Sequence, residues 1–95
     1  MPLKRLDIAA DRPVLEVLVA HHCFGCERAQ HLAEAARTRF PNLTVRVVDL
    51  RHAAGPLPRG LVAVPAYVLN GRLLFTGNPT SDRLFAALAG ADAAE

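Results

Sequence analysis

The period of hydrophobic positions changes repeatedly along the chain, and each change marks an element. Val14 to Ala20 (VLEVLVA) is an almost unbroken apolar, β-branched run, the length and composition of a strand buried on both faces. Glu16 alone interrupts it and reads as a carboxylate at the strand's wet end. After Cys26 the apolar positions fall three and four apart, at Ala29, Leu32, Ala33, Ala36 and Phe40, which is one face of a helix. Glu27, Arg28, Glu34, Arg37 and Arg39 lie mostly off that face. Pro41 and Asn42 end the helix, because proline cannot continue it. Thr44 to Leu50 (TVRVVDL) then reads as a second strand, so the first half of the chain is a βαβ unit.

Residues 51 to 60 (RHAAGPLPRG) form a loop, or at most one helical turn. Beyond them two apolar runs, Ala66 to Leu69 and Arg72 to Thr76, flank Asn70-Gly71. That dipeptide between such runs is the strongest short hairpin signal, since a type I′ turn needs positive φ at both positions. A short closing helix is expected from Thr80 to Ala89. Asn78 or Thr80 is its candidate cap, Asp82 sits at its positive end, and Leu84, Phe85 and Leu88 form its packing face. Gly90 to Glu95 are expected to fray. Phe40, Phe75 and Phe85 read as core, and Tyr67 as a half-buried strand residue with a wet hydroxyl. There is no internal repeat. The order β-α-β, loop, β-β-α predicts an α/β fold, a four-stranded mixed sheet flanked by helices. Residues 1–95 read as a single domain with its core at about 13–89.

Composition adds limits. A chain of 95 residues that is 52% hydrophobic can bury a core without disulfide staples. The net charge of +2, with acids and bases interspersed, lacks the clustered basic stripe that nucleic acid would want. Met1 to Asp11 carries Lys4, Arg5, Asp7 and Asp11 and no long apolar run, so a secretory signal is not expected there. No run reaches transmembrane length, and a reducing, cytoplasmic location is the default expectation.

Both cysteines of the chain lie in Cys23-Phe24-Gly25-Cys26. Loop-closure entropy grows with loop length, so stapling so short a loop stabilises little; redox chemistry or metal binding explains the pair better. Cys23 ends the loop after a buried strand, and Cys26 falls in the first turn of the helix. Unsatisfied N–H groups and the helix dipole give that spot a positive potential that favours a thiolate. Spacing of i, i+3 brings the second sulfur close on the same helical face. Cys23 is therefore the expected nucleophile, and Cys26 the more buried resolving thiol. Gly25 permits the tight turn and Phe24 projects outward as contact surface. His22, partly protonated near neutral pH, is a candidate for lowering the Cys23 pKa further.

Val64-Pro65 stands just before the hairpin, where a proline is tolerated at a strand start. With this feature the chain, from Val14 to Leu88, resembles the thioredoxin superfamily. The resemblance implies that Pro65 is a cis-proline facing the dithiol and that Val64 offers its backbone N–H and C=O to an extended substrate segment. The residues alone also allow a trans proline at a strand start. The chain departs from the thioredoxin pattern at His22-Cys23-Phe24-Gly25-Cys26, where Trp-Cys-Gly-Pro-Cys is usual. Val17 stands in place of the buried aspartate that thioredoxins use as proton-transfer partner. Short length, the lack of a leading strand and helix, and Val64-Pro65 look more like glutaredoxin. Ala63 in place of its threonine leaves a glutathione site unsupported, and the stretch NGRLLFTGNPT before a helix resembles thioredoxins more. The chain thus reads as a small thioredoxin/glutaredoxin-like protein of open subfamily.

His21-His22-Cys23-x-x-Cys26 also invites a metal reading, with two thiolates and an imidazole as ligands. Adjacent histidines on an extended chain point to opposite sides, and no fourth ligand is in sequence, so no closed metal site is expected. A cluster shared across a dimer stays open. His21, His31 and His52 read as solvated. Three functions follow. The first is a thiol–disulfide oxidoreductase acting on a disulfide-containing protein or small-thiol substrate, recharged by an external reductant, with no cofactor, nucleic acid or membrane partner and a monomeric state. The second is a metal or iron–sulfur module using the same cysteines; the third is a non-catalytic scaffold.

Overall fold

The computed structural model describes residues 12–21, 23–52 and 57–93. Strand β1 (Val14–Val19) leads through helix α1 (Cys26–Arg39) to strand β2 (Thr44–Asp49) and a short 3-10 turn at Leu50–His52. The hairpin β3 (Ala66–Leu69) and β4 (Arg72–Thr76) follows, and helix α2 (Ser81–Ala93) closes the chain. The sheet order is β2-β1-β3-β4. β1 and β2 run parallel, with Val17 beside Val47, as a helical crossover requires. β3 is antiparallel to both β1 and β4, setting Tyr67 between Val17 and Phe75, with a register shift after Tyr67.

The apolar run of β1 is explained by its central place. Leu15, Val17 and Val19 join Val45 and Tyr67 under Ala29, Leu32, Ala33 and Ala36 of α1 and Leu84 and Leu88 of α2. The opposite face of β1 presents Leu18 to Ala66 and Val68, with Val48, Leu50, Leu61 and Val64 alongside. Both helices therefore share one face. The alanines of α1 let its backbone sit close to the sheet. Glu16 pairs with Arg46, its register neighbour on β2, at 2.9 Å.

Asn70 (φ 52°) and Gly71 (φ 83°) both take the positive φ of the hairpin turn. Asn70 also ties the hairpin to β1, since its Oδ1 accepts from Val14 N–H and its own N–H donates to Val14 C=O, both at 2.9 Å. Thr80 Oγ1 caps α2 by accepting from Arg83 N–H at 3.2 Å. That helix continues to Ala93 rather than ending at Ala89, so Gly90 to Ala93 are helical rather than frayed; the rest of the expected fraying, at residues 94–95, lies outside the described residues. The alanine-rich last turns outweigh the one glycine. Phe40 is buried, edge-on to Phe85 at 5.9 Å; Phe85 and Phe75 are half-buried at the margin of the core rather than inside it. No described helix is long and apolar enough to cross a membrane.

Candidate active site

The site forms where β1 ends and α1 begins. After Val19 the chain leaves the sheet, turns through Phe24 and Gly25, and enters α1 at Cys26. Gly25 is the N-cap residue and holds φ 89°, a conformation that glycine adopts without a Cβ penalty. Among the described residues no side chain caps the helix, so the first-turn amides remain available to a charge placed there. Cys26 N–H donates to Cys23 C=O at 3.3 Å and closes the turn.

Cys23 and Cys26 are joined by a disulfide with their Cα atoms 5.4 Å apart. Cys26 is buried at 6% exposure against the core face of α1, whereas Cys23 is half-exposed. Phe24 stands in solvent, 99% exposed. The Val64–Pro65 peptide bond is cis. Pro65 is buried beside the turn, its Cδ 3.9 Å from where a Cβ on Gly25 would lie, and its C=O accepts from Gly77 N–H at 2.8 Å. Val64, half-buried, packs against both core clusters, and neither of its backbone groups enters a loop or turn hydrogen bond among the described residues. The structure thus brings Cys23, Phe24, Gly25, Cys26 and Pro65 together, with Val64 next in the chain. His22 lies outside the described residues, so its suggested tuning of Cys23 has no geometry here.

Two residues of the site carried no signal of it in sequence. Asn78, read as one of two possible helix caps, instead donates from Nδ2 to Gly25 C=O at 2.9 Å. Tyr67 is fully buried, and its hydroxyl donates to Asn78 Oδ1 at 2.8 Å; the wet hydroxyl expected from sequence is absent. Burial pushes its phenol up to about 12, opposed only in part by the charge of Arg28. Periodicity placed Tyr67 on a strand, but which neighbour receives a hydroxyl depends on a segment eleven residues on.

Among the described residues no three of His, Cys, Asp and Glu stand together as a metal cage. His31 and His52 are exposed, at the sixth residue of α1 and in the 3-10 turn. Near the end of β2, Asp49 is held down to about 2 by hydrogen bonds from the Arg51 side chain and N–H.

A cysteine pair opening a helix, one sulfur buried and one reachable, serves thiol redox chemistry in a thioredoxin-like fold. No protein-family model matches the chain. A protein of Methanothermobacter thermautotrophicus named "Probable Thioredoxin" is 32% identical over 78 residues, which cover 78% of this chain and 89% of that protein. The chain belongs to the thioredoxin family.

Proposed function

We propose that this protein is a thiol–disulfide oxidoreductase that reduces or exchanges disulfides through Cys23 and Cys26. The observation that carries the reading is the unequal burial of two sulfurs that are within bonding reach at one helix N-terminus. In the dithiol form, the uncapped start of α1 favours the thiolate of Cys23, the accessible partner. That thiolate attacks one sulfur of a substrate disulfide, forming a mixed disulfide and expelling the other sulfur as a thiolate, which takes up a proton. Cys26 loses its proton and attacks the Cys23 sulfur, releasing the second substrate thiol. Two electrons have passed to the substrate, and the protein is left as the intramolecular disulfide.

An extended substrate segment is aligned by the backbone groups of Val64 beside Pro65, which enter no loop or turn hydrogen bond among the described residues, while Phe24 offers apolar contact. His22, next in sequence to Cys23, adds positive charge when protonated. The substrate is a disulfide-containing protein or a small disulfide, and an external thiol system restores the dithiol. The working form is a monomer in a reducing compartment, the cytoplasm, with neither nucleic acid nor membrane as partner.

The test is reduction of a protein disulfide by dithiothreitol with and without the protein. The wild type is expected to accelerate it, Cys23→Ser to abolish the acceleration, and Cys26→Ser to accumulate a mixed disulfide on Cys23. No acceleration by the wild type, or stoichiometric metal retained on both sulfurs after anaerobic purification, refutes the reading.

A further inference from the structure

The carbonyl of Gly25 accepts two hydrogen bonds. One, from Ala29 N–H at 3.0 Å, is the first of helix α1; the other comes from Asn78 Nδ2 at 2.9 Å. Asn78 Oδ1 in turn accepts from the Tyr67 hydroxyl at 2.8 Å. The direction of this relay is fixed by its ends, because a backbone carbonyl only accepts. The amide nitrogen must therefore face Gly25, which leaves Oδ1 for the phenol. Tyr67 lies between β1 and β4 in the closed interior of the sheet, and its raised pKa keeps it a donor at neutral and mildly alkaline pH. One end of the relay is thus anchored in the core, and the other grips the turn between the two cysteines.

We propose that Asn78, oriented by Tyr67, is a positioning residue for the dithiol, holding Gly25 in the shape the Cys23–Cys26 disulfide needs and so favouring the disulfide form. The proposal rests on the exchange reading given above. Its physical basis is preorganisation. Cys26 is fixed by the helix and the core, so the part able to relax on reduction is the Cys23-Phe24-Gly25 turn. Without the Asn78 bond, the dithiol form gains turn conformations that the disulfide form cannot use. Removal of the bond therefore weakens the disulfide form more than the dithiol form. A bond that merely fastened the surface would weaken both alike.

The test equilibrates the protein with mixtures of glutathione and glutathione disulfide. The Cys23–Cys26 bond forms as the glutathione disulfide bond breaks, and two electrons and two protons pass from the protein dithiol to the glutathione disulfide, giving two glutathione thiols. Asn78→Ala is expected to lower the equilibrium constant for the protein disulfide roughly fivefold, the worth of one net hydrogen bond. Asn78→Asp, which can still accept from Tyr67 but cannot donate to Gly25, is expected to lower it at least as far. Tyr67→Phe is expected to lower it about threefold, and Tyr67→Phe with Asn78→Ala no further than Asn78→Ala alone, as members of one network behave. Thermal unfolding midpoints should fall further in the disulfide form than in the dithiol form. The proposal is overturned if both Asn78 variants stay within about twofold of wild type, if Tyr67→Phe leaves the constant unchanged, or if the midpoints fall equally in the two forms. These constants need only a small thiol. A wild type that reaches equilibrium with glutathione yet accelerates the reduction of neither a protein disulfide nor a small one thus sinks the oxidoreductase reading and leaves the relay standing, whereas unchanged variants in an active enzyme sink the relay alone.

Discussion

Gly25→Ala separates the two demands that the turn makes on its glycine. The first is conformational: an L-residue at φ 89° is disfavoured by about 1–2 kcal/mol. The second is spatial. The new Cβ would lie 3.2 Å from Asn78 Nδ2, closer than ordinary contact, while Pro65 Cδ at 3.9 Å is undisturbed. Asn78 must give way by a few tenths of an ångström and weaken its bond to Gly25, a loss of about 1 kcal/mol. Gly71→Ala supplies the control, since Gly71 holds nearly the same φ of 83° with nothing within 4 Å of its would-be Cβ. Urea unfolding of the disulfide forms should therefore show a total of about 2–3 kcal/mol for Gly25→Ala and about 1–2 kcal/mol for Gly71→Ala. In an Asn78→Ala background the excess at Gly25 should disappear. Equal costs at the two glycines, or an excess that survives the loss of Asn78, would refute the packing argument.

Leu84→Ala, at a fully buried contact between α2 and the sheet, should cost about 2–5 kcal/mol by urea denaturation; a loss under about 1 kcal/mol would mean that α2 is not seated as described. Tyr67 is the only tyrosine and the chain has no tryptophan, so absorbance at 295 nm reports it alone. Its midpoint in the folded protein should lie near 12, and because the folded state holds its proton longer than the unfolded chain, stability should fall as pH rises from 10 toward 12. Titration at the ordinary tyrosine value would contradict its burial. Asp49 has the opposite sign: its folded value near 2 lies below the ordinary 3.8, so its contribution is present above about pH 4 and disappears as pH falls toward 2. Asp49→Asn should therefore be less stable than wild type at pH 6 and indistinguishable from it near pH 2; a pH-independent difference would rule out the charge as the cause.

Much of the fold was legible in the sequence because its signals are local. The change from a continuous apolar run to a three-and-four spacing placed β1 and α1, and Asn70-Gly71 placed the hairpin, since backbone sterics act within a few residues. The cysteine pair was equally legible, because its two residues are neighbours and the helix that follows them is readable. Less legible was the end of α2: Gly90 is a local stop signal that neighbouring alanines outweighed. The margin position of Phe75 and Phe85 depended on where the sheet and the helix run out, which no residue's own character records.

The sequence by itself therefore determined the element order and the two sulfurs, through periodicity, turn sterics and spacing. Tertiary structure alone decided what holds the turn between those sulfurs. Gly25 and Asn78 are 53 residues apart, and Tyr67 meets Asn78 only because β3 and the segment after β4 are folded to the same end of the sheet. A side chain's hydrogen-bond partner is set by direction and distance in space. Asn78 could have capped α2 as readily as it grips Gly25, and only packing chose between them.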